Sequence, residues 1–258
     1  MSTPFIGKSS SGPQIVQARR TPVSGQSSVA ELPDYRRLLR RIIQAYDSTL
    51  VRAYCVIRFQ IINLNMLHVL SLCLRGKQRV LEVGCGFGLF GCYFAARDRR
   101  VQWTGLDLDA GRIGMARRAS ERLGLNNTNF SVADAREHLK INERFDAIVM
   151  MDLLHHIPDE SKRQLLDAVL ERLAPDGVLI IKDVTRRPWW KMAFTWILDV
   201  LMTRGVDMWY WSPEQFRKVI DGRFGMETYP IHDWLPYPHI VYVINAVQPR
   251  ADRRQATG

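Results

Sequence analysis

The sequence predicts an α/β protein, in which a helical extension precedes a doubly wound, mostly parallel sheet. Beyond Gly76, short apolar runs alternate with stretches whose apolar residues recur at helical spacing. This alternation is typical of parallel strands that helices cover on both faces. The 258 residues, 47% hydrophobic and 24% charged, have the composition of one large globular domain. These observations exclude a wholly disordered, fibrous or coiled-coil chain.

The two ends of the chain are predicted to be disordered tails. Residues 1–30 are rich in Ser, Gly and Pro, so they bury too little apolar surface to offset the entropy of ordering. Their composition also resembles an organellar transit peptide, although no amphipathic helix is evident. Residues 1–30 (three basic, no acidic) and 250–258 (three basic, one acidic) carry +3 and +2 of the net charge of +10. The remaining charge permits contact with nucleic acid or an anionic membrane without requiring either.

Residues 31–76 are predicted to form a helical segment, broken once, that serves as a lid. Apolar residues recur at helical spacing from Asp34 to about Leu74. The first turns of this segment carry four arginines, Arg36, Arg37, Arg40 and Arg41. Such a basic amphipathic segment can pack on the domain, cover a cleft or lie on anionic lipid, and packing is the interpretation we favour. Polar residues interrupt every window of about 18 residues, which argues against a transmembrane span.

Residues 77–249 contain the predicted sheet domain. Strands are expected at Arg79–Val83, Val101–Leu106, Asn129–Val132, Phe145–Met150 and Gly177–Ile181. Helices are expected at Leu89–Arg97, Ala110–Leu123 and Asp159–Leu173, and the turn Ala174–Gly177 ends the last of them. Two later strands are expected at Phe224–Tyr229 and Ile240–Val247.

Residues 186–223 are predicted to be an insert on the substrate side of the domain. The insert includes an apolar helix, Trp189–Met202, whose polar residues form one narrow stripe, so protein or lipid must bury it nearly all round. A second helix is expected to start at Ser212 and Pro213. Aromatic residues are frequent in and after the insert, at Trp209, Tyr210, Trp211, Tyr229, Trp234 and Tyr237.

A glycine-rich turn follows the first strand of the domain. Gly84, Gly86 and Gly88 come directly after an apolar strand and directly before a helix. Glycines there let a ligand lie against bare backbone, and the helix N-terminus favours an anionic group. Asp107 ends the second strand, where a carboxylate can accept hydrogen bonds from ribose hydroxyls, and Asp134 follows the third. The pattern therefore predicts a nucleoside-binding edge.

Together with the run from Met150 to Pro158, which contains His155 and His156, these residues resemble the class I S-adenosylmethionine-dependent methyltransferases, in their small-molecule, type 11/12-like branch. The resemblance covers Arg79–Asp183 and continues more weakly to Val247. It implies a Rossmann-like sheet of seven strands, the last antiparallel, and S-adenosylmethionine as cofactor. The implied cofactor-binding residues are Glu82, Gly84, Cys85, Gly86 and Gly88 for the methionine part, Asp107 and Leu108 for the ribose, Asp134 and Ala135 for adenine, and Met151 from the fourth strand.

His155, His156 and Asp183 are the candidate catalytic residues. A neutral histidine at the end of the fourth strand would serve as a general base for a hydroxyl acceptor, and Asp183 ends the fifth strand at the cleft edge. His232, Tyr237 and His239 are rival candidates. The alternative is that alignment alone suffices and that the histidines are structural.

The expected activity is methyl transfer to a small hydrophobic, aromatic or lipid-like acceptor. An RNA methyltransferase and a non-catalytic protein that retains the cofactor fold are the alternatives, although the charge in the tails makes nucleic acid a less favoured partner. The four cysteines form neither a CxxC pair nor a Cys/His framework, so no metal site is expected. A reducing cytoplasm fits this cysteine pattern, with peripheral membrane contact as an open possibility.

Overall fold

A computed structural model of the protein describes residues 32–62, 64–138, 143–184, 209–220, 224–231 and 239–246. Both predicted tails and the predicted helix Trp189–Met202 lie outside the described residues. So do His232, Trp234 and Tyr237.

Seven strands form one sheet in the order β3-β2-β1-β4-β5-β7-β6. They are β1 (Arg79–Val83), β2 (Gln102–Asp107), β3 (Thr128–Val132), β4 (Phe145–Met151), β5 (Leu173–Val184), β6 (Phe224–Ile231) and β7 (His239–Ala246). The strands β1 to β5 pair in parallel, and β7 runs antiparallel to both of its neighbours. This arrangement confirms the predicted doubly wound sheet with an antiparallel last strand.

The register of the central strands aligns their carboxyl ends. Val83, the last residue of β1, pairs with Leu106 of β2 on one side and with Met150 of β4 on the other. The residues that directly follow, Gly84 and Asp107 among them, therefore meet at one edge of the sheet. Ligands bind at this edge in open α/β sheets, where the strand order reverses.

β5 begins earlier than predicted. The predicted strand was Gly177–Ile181, whereas β5 spans Leu173–Val184. Phe145 of β4 pairs with Leu173, but Ala147, two residues on, pairs with Val178. The predicted turn at residues 174–177 is thus a bulge inside the strand, because the chain can loop out of register and resume the same pairing. The other predicted elements of the described sheet domain match the observed boundaries within one or two residues.

The helices cover both faces of the sheet and extend before it. They are α1 (Leu32–Gln44), α2 (Thr49–Ile61), α3 (Leu64–Cys73), α4 (Leu89–Arg97), α5 (Ala110–Arg122), α6 (Ala135–His138), α7 (Asp159–Glu171) and α8 (Pro213–Val219). The N-terminal segment is broken twice, which corrects the prediction of one break. Ser48 caps α2 by accepting a hydrogen bond from the backbone N–H of Val51, so a new helix starts there.

The N-terminal helices belong to the core. Leu81 and Val83 of β1 pack towards the side that holds α7 and α8, whereas Val80 packs towards the side that holds α1 to α5. On that second side, the Tyr46 hydroxyl donates to the carbonyl of Phe87 over 2.8 Å. No single described helix is long and apolar enough to cross a membrane, while α2 and α3 together pass that test across a bend of 80°. Both helices place side chains in the core, including Phe59 and Met66.

Candidate functional site

A cavity of about 300 Å³ lies at the carboxyl edge of β1, β2 and β4. Its floor comes from the sheet edge and the glycine-rich turn, and α2 forms one wall. The lining residues are Tyr54, Ile57, Arg58, Ile61, Glu82, Gly84, Cys85, Gly86, Phe87, Leu89, Phe90, Asp107, Arg112, Met151, Asp152, Leu153, His155, His156 and Val184. The cavity thus brings together six of the ten predicted cofactor residues, at the carboxyl ends of β1, β2 and β4. They are Glu82, Gly84, Cys85, Gly86, Asp107 and Met151.

Gly86 exposes bare backbone at the cavity floor. Its φ of 53° lies in the left-handed region, and a Cβ built there would meet no atom within 4 Å. The backbone N–H groups of Gly84 and Cys85 both donate to the carbonyl of Leu106, which ties the turn to β2. Gly88 also has a left-handed backbone, with a φ of 70°, and a Cβ there would in addition lie 2.8 Å from the ring of Phe130. Gly88 serves packing under the turn and does not line the cavity.

The Asp107 carboxylate fixes the shape of the turn. One oxygen accepts from the backbone N–H of Gly86 over 2.8 Å, and the other accepts from that of Asp109 over 2.9 Å. Each oxygen keeps lone-pair capacity for a ligand hydroxyl. Asp109 caps α5 by accepting from the backbone N–H of Arg112. The predicted neighbour Leu108 is 72% exposed and lies outside the cavity lining.

Glu82 places a buried carboxyl group at the inner end of the cavity. The Trp103 indole N–H donates to its Oε2 over 2.9 Å. Burial is the largest influence on this group and raises its pKa to about 8. Glu82 is therefore largely protonated at neutral pH in the protein alone.

Asp134 and Ala135 follow β3, away from the cavity lining. The Asp134 carboxylate is paired with the Arg136 guanidinium, and this pairing lowers its pKa. Ala135 is buried. Their predicted contact with adenine stays a prediction.

His155 and Asp183 form a buried pair beside the cavity. His155 Nδ1 contacts Asp183 Oδ1, and the imidazole stacks on the ring of Tyr210 with 5.7 Å between centroids. A proton on Nδ1, donated to the carboxylate, makes Nε2 the basic nitrogen. His155 lines the cavity, whereas Asp183 reaches it through His155. His239, one of the rival candidates, begins β7.

His156 is the second cavity histidine. Burial lowers its pKa to about 4, and the neighbouring His155 acts in the same direction. The imidazole is thus neutral at physiological pH. Its buried Nδ1 has no hydrogen-bond partner among the described residues.

Sequence reasoning missed a cluster of charged side chains at the cavity, formed by Arg58, Asp152 and Lys182. Arg58 Nη1 lies 2.6 Å from Asp152 Oδ2, and Lys182 Nζ contacts Asp152 Oδ1. Asp152 has a φ of 53°, rare for a residue with a side chain. The sequence shows Asp152 beside the histidine motif, but nothing in it signals a partner 94 positions earlier, in α2. Among the described residues, no three His, Cys, Asp or Glu side chains are grouped to hold a metal ion.

The sheet order, the antiparallel β7, the glycine-rich turn after β1 and the carboxylate after β2 define the fold of the class I methyltransferases. Residues 80–177 match a family model described as a methyltransferase domain. Over these residues the chain is therefore similar to methyltransferase domains.

Curated relatives share part of the chain. A ubiquinone biosynthesis O-methyltransferase of Coxiella burnetii is 35% identical over 113 residues, which are 44% of this chain and 46% of the relative. The same enzyme of Psychrobacter cryohalolentis is 33% identical over 117 residues, 45% of this chain and 44% of the relative. The chain therefore matches less than half the length of these relatives.

Solved structures share the fold. A protein of Pyrococcus horikoshii superposes with a TM-score of 0.59 at 20% identity, covering 83% of this chain and 99% of that protein. The magnesium protoporphyrin IX methyltransferase of Synechocystis, solved with bound SAH, gives a TM-score of 0.57 at 17% identity, covering 83% of this chain and 94% of that enzyme.

Proposed function

We propose that the protein is an S-adenosylmethionine-dependent methyltransferase that acts on a small hydrophobic, aromatic or lipid-like acceptor. The observation that carries this proposal is the composition of one cavity. It combines the bare backbone of Gly86, the carboxylate of Asp107 and the pair formed by His155 and Asp183.

The residues at the cavity floor fit the cofactor. The open space over Gly86 accepts a ligand against the backbone, and Asp107 would hold the ribose hydroxyls. Glu82 would face the cationic end of the methionine part, because its carboxyl group lines the same floor. When bound, the cofactor supplies an electrophilic methyl group on a sulfonium, which needs little activation. The protein then mainly orients the acceptor and excludes water.

The other walls favour an apolar acceptor. Most of the remaining lining is hydrophobic, contributed by Tyr54, Ile57, Ile61, Phe87, Leu89, Phe90, Met151, Leu153 and Val184. The relatives are named O-methyltransferases, which supports a hydroxyl as the accepting group. A hydroxyl must lose its proton, and the contact between His155 and Asp183 supports His155 as the group that would take it.

Calorimetric titration with S-adenosylmethionine tests the cofactor site. Asp107→Ala should weaken binding by more than tenfold, because charge-assisted hydrogen bonds contribute roughly 1.5–3 kcal/mol. Asp109→Ala is the matched control, since Asp109 caps α5 without lining the cavity and should leave the affinity unchanged. An unchanged affinity in a folded Asp107→Ala protein would refute the ribose assignment.

Labelled cofactor tests the reaction. Incubation with a panel of phenols and catechols, and with a lipid extract, should transfer label to an apolar hydroxyl compound that mass spectrometry then identifies. Cofactor binding without transfer to any compound would instead indicate a non-catalytic protein, and transfer to RNA alone would contradict the acceptor class.

A further inference from the structure

The N-terminal helices expose aliphatic side chains. Of the six large hydrophobic residues that are exposed in the described part of the chain, four lie on α2 and α3. They are Leu50 (82%), Val56 (42%), Ile57 (48%) and Leu72 (40%). Leu50, Ala53 and Ile57 follow one another at steps of three and four residues, so they form one stripe along α2. All three side chains are exposed in the described part of the chain.

Exposed cations precede this stripe along the chain. All four arginines in the middle of α1 are exposed, and Asp34 is the single acid of that helix. The turn from α1 to α2 carries Asp47, an acid that Arg118 and Arg122 of α5 contact. α1 thus exposes an excess of positive charge, and α2, which follows it, exposes aliphatic side chains.

The stripe ends at the mouth of the cavity. Ile57 is about half exposed and also lines the cavity. Tyr54 and Arg58, on either side of it, line the same wall. A molecule that leaves an apolar phase at α2 would therefore meet the cavity directly.

We propose that α1 and α2 form a docking surface for an anionic lipid bilayer. Leu50, Val56 and Ile57 would enter the headgroup boundary, and the arginines of α1 would contact anionic headgroups. The aliphatic stripe favours lipid over RNA, because proteins bind single-stranded RNA mainly through aromatic stacking. That the cavity takes its acceptor from this surface rests on the proposed function. The binding of α1 and α2 to lipid does not depend on the proposed function.

Flotation of the full chain with vesicles tests the docking surface in the absence of cofactor. Vesicles of phosphatidylcholine that also contain the anionic lipid phosphatidylglycerol should carry the protein upward at low salt, because a negative surface potential attracts basic segments. Vesicles of phosphatidylcholine alone should carry at least about tenfold less. Raising the salt to about 0.5 M should release the protein, because the screening length then falls well below 10 Å.

Two variants separate the apolar and cationic contributions. Leu50→Ser with Val56→Ser, and Arg36→Gln with Arg37→Gln and Arg40→Gln, should each lower binding to anionic vesicles by about tenfold or more. Val132→Ser, which alters an exposed apolar residue at the end of β3, and Arg163→Gln on α7 are the matched controls and should float like the wild type.

Equal flotation with neutral and anionic vesicles, no flotation with either, or unchanged flotation of both variants would overturn the docking proposal. Binding to RNA without binding to vesicles would overturn it in favour of a nucleic-acid surface. The Leu50→Ser, Val56→Ser variant should keep its affinity for S-adenosylmethionine, so a failure of lipid docking is distinguishable from a failure of the proposed function.

Discussion

Glu82 shows how one buried residue can connect folding to the candidate site. It is the penultimate residue of β1, a strand buried on both faces, yet its side chain is a carboxyl group and the residue is 1% exposed. The Trp103 indole satisfies one oxygen, and burial makes the neutral form more stable than the charged form. A cationic ligand group in the cavity would reverse that preference.

The Glu82→Gln variant should remove a pH dependence of stability. The pKa of Glu82 is about 8 in the folded protein against an ordinary value of 4.5, so the folded state keeps a proton that the unfolded chain releases. The wild type should therefore lose stability relative to the variant as the pH rises from 4.5 to 8. Between pH 6 and pH 9 we expect a relative loss of roughly 3 kcal/mol, at about 1.4 kcal/mol per pKa unit.

Urea unfolding of both proteins at the two pH values, without cofactor, measures this difference. The glutamine keeps an acceptor for the Trp103 N–H, so the comparison isolates the charge. If the free energies of unfolding of the wild type and of Glu82→Gln differed by the same amount at both pH values, Glu82 would not be a protonated buried acid.

His155 should prove to be the general base of a hydroxyl acceptor. His155→Ala should lower turnover at least ~100-fold and remove the acidic limb of the pH profile, while cofactor affinity is retained. Asp183→Asn should produce a smaller loss by disturbing the Nδ1 tautomer. His156→Ala is the matched control and should lose less than tenfold. Uniform losses below tenfold in all three variants would leave alignment as the mechanism.

At the scale of single residues, the sequence predicts what depends on local chain order. Gly86 comes shortly after β1 and Asp107 is the last residue of β2, so their meeting at the sheet edge is predictable from parallel topology. Arg58 and Asp152 meet because α2 packs across the cavity, and no local pattern encodes that contact. The tautomer and burial of His155 likewise depend on Asp183, which comes from another strand.

At the scale of elements, ion pairs connect α2 to the end of β4. Asp152 is shared between Arg58, whose side chain is 15% exposed, and Lys182, whose side chain is 1% exposed. A buried ammonium is costly without its carboxylate, and burial already lowers the pKa of Lys182. The two cations therefore depend on Asp152 to different degrees.

Asp152→Asn should destabilise the protein more than Arg58→Met. Asparagine tolerates the left-handed backbone at this position but leaves Lys182 without its anion, which should cost roughly 3–5 kcal/mol. Arg58→Met leaves the pair of Asp152 and Lys182 intact and should cost about 1 kcal/mol. Urea unfolding ranks the variants. Asp98→Asn, which breaks an exposed pair with Arg100, should be close to neutral. The opposite ranking would mean that α2, and not the buried lysine, depends on this cluster.

Element boundaries were predictable where the local chemistry is decisive. The capping box at Ser212 and Gln215 starts α8 where the sequence predicts a helix. The predicted start of β5 was wrong because a bulge and a turn share the same residue types. Pairing with β4 decides between the two. The second break in the N-terminal segment was missed because helical spacing continues through it.

At the scale of the whole molecule, the alternation of strands and helices was enough to predict a parallel sheet. The position of β7 between β5 and β6 is different, because two consecutive strands could equally form a hairpin at the edge in the order β5-β6-β7. The resemblance to the family implied an antiparallel last strand, but the position of β7 between β5 and β6 was not predicted. For α1 to α3, packing on the domain was the favoured interpretation, and residues of all three helices lie in the core. An amphipathic pattern alone does not decide this, since such a helix can be covered by protein or by lipid.

Two N-terminal deletions should therefore have opposite outcomes. Deletion of residues 1–30 removes the predicted tail and should change the melting temperature by less than about 2 °C, with cofactor affinity unchanged.

Deletion of residues 1–76 removes α1 to α3, and with them the wall of the cavity formed by Tyr54, Ile57, Arg58 and Ile61. It also uncovers the face of α4 on which Tyr93 contacts Tyr35 and Phe59. Loss of several buried aromatic and aliphatic side chains at roughly 1.5–3 kcal/mol each exceeds the 5–15 kcal/mol stability of a typical domain, so this protein should aggregate or remain unfolded. Thermal unfolding and calorimetry on both proteins decide the matter. A folded 77–258 fragment with full cofactor affinity would show that the N-terminal helices are an accessory layer and that the sheet domain forms the cofactor site alone.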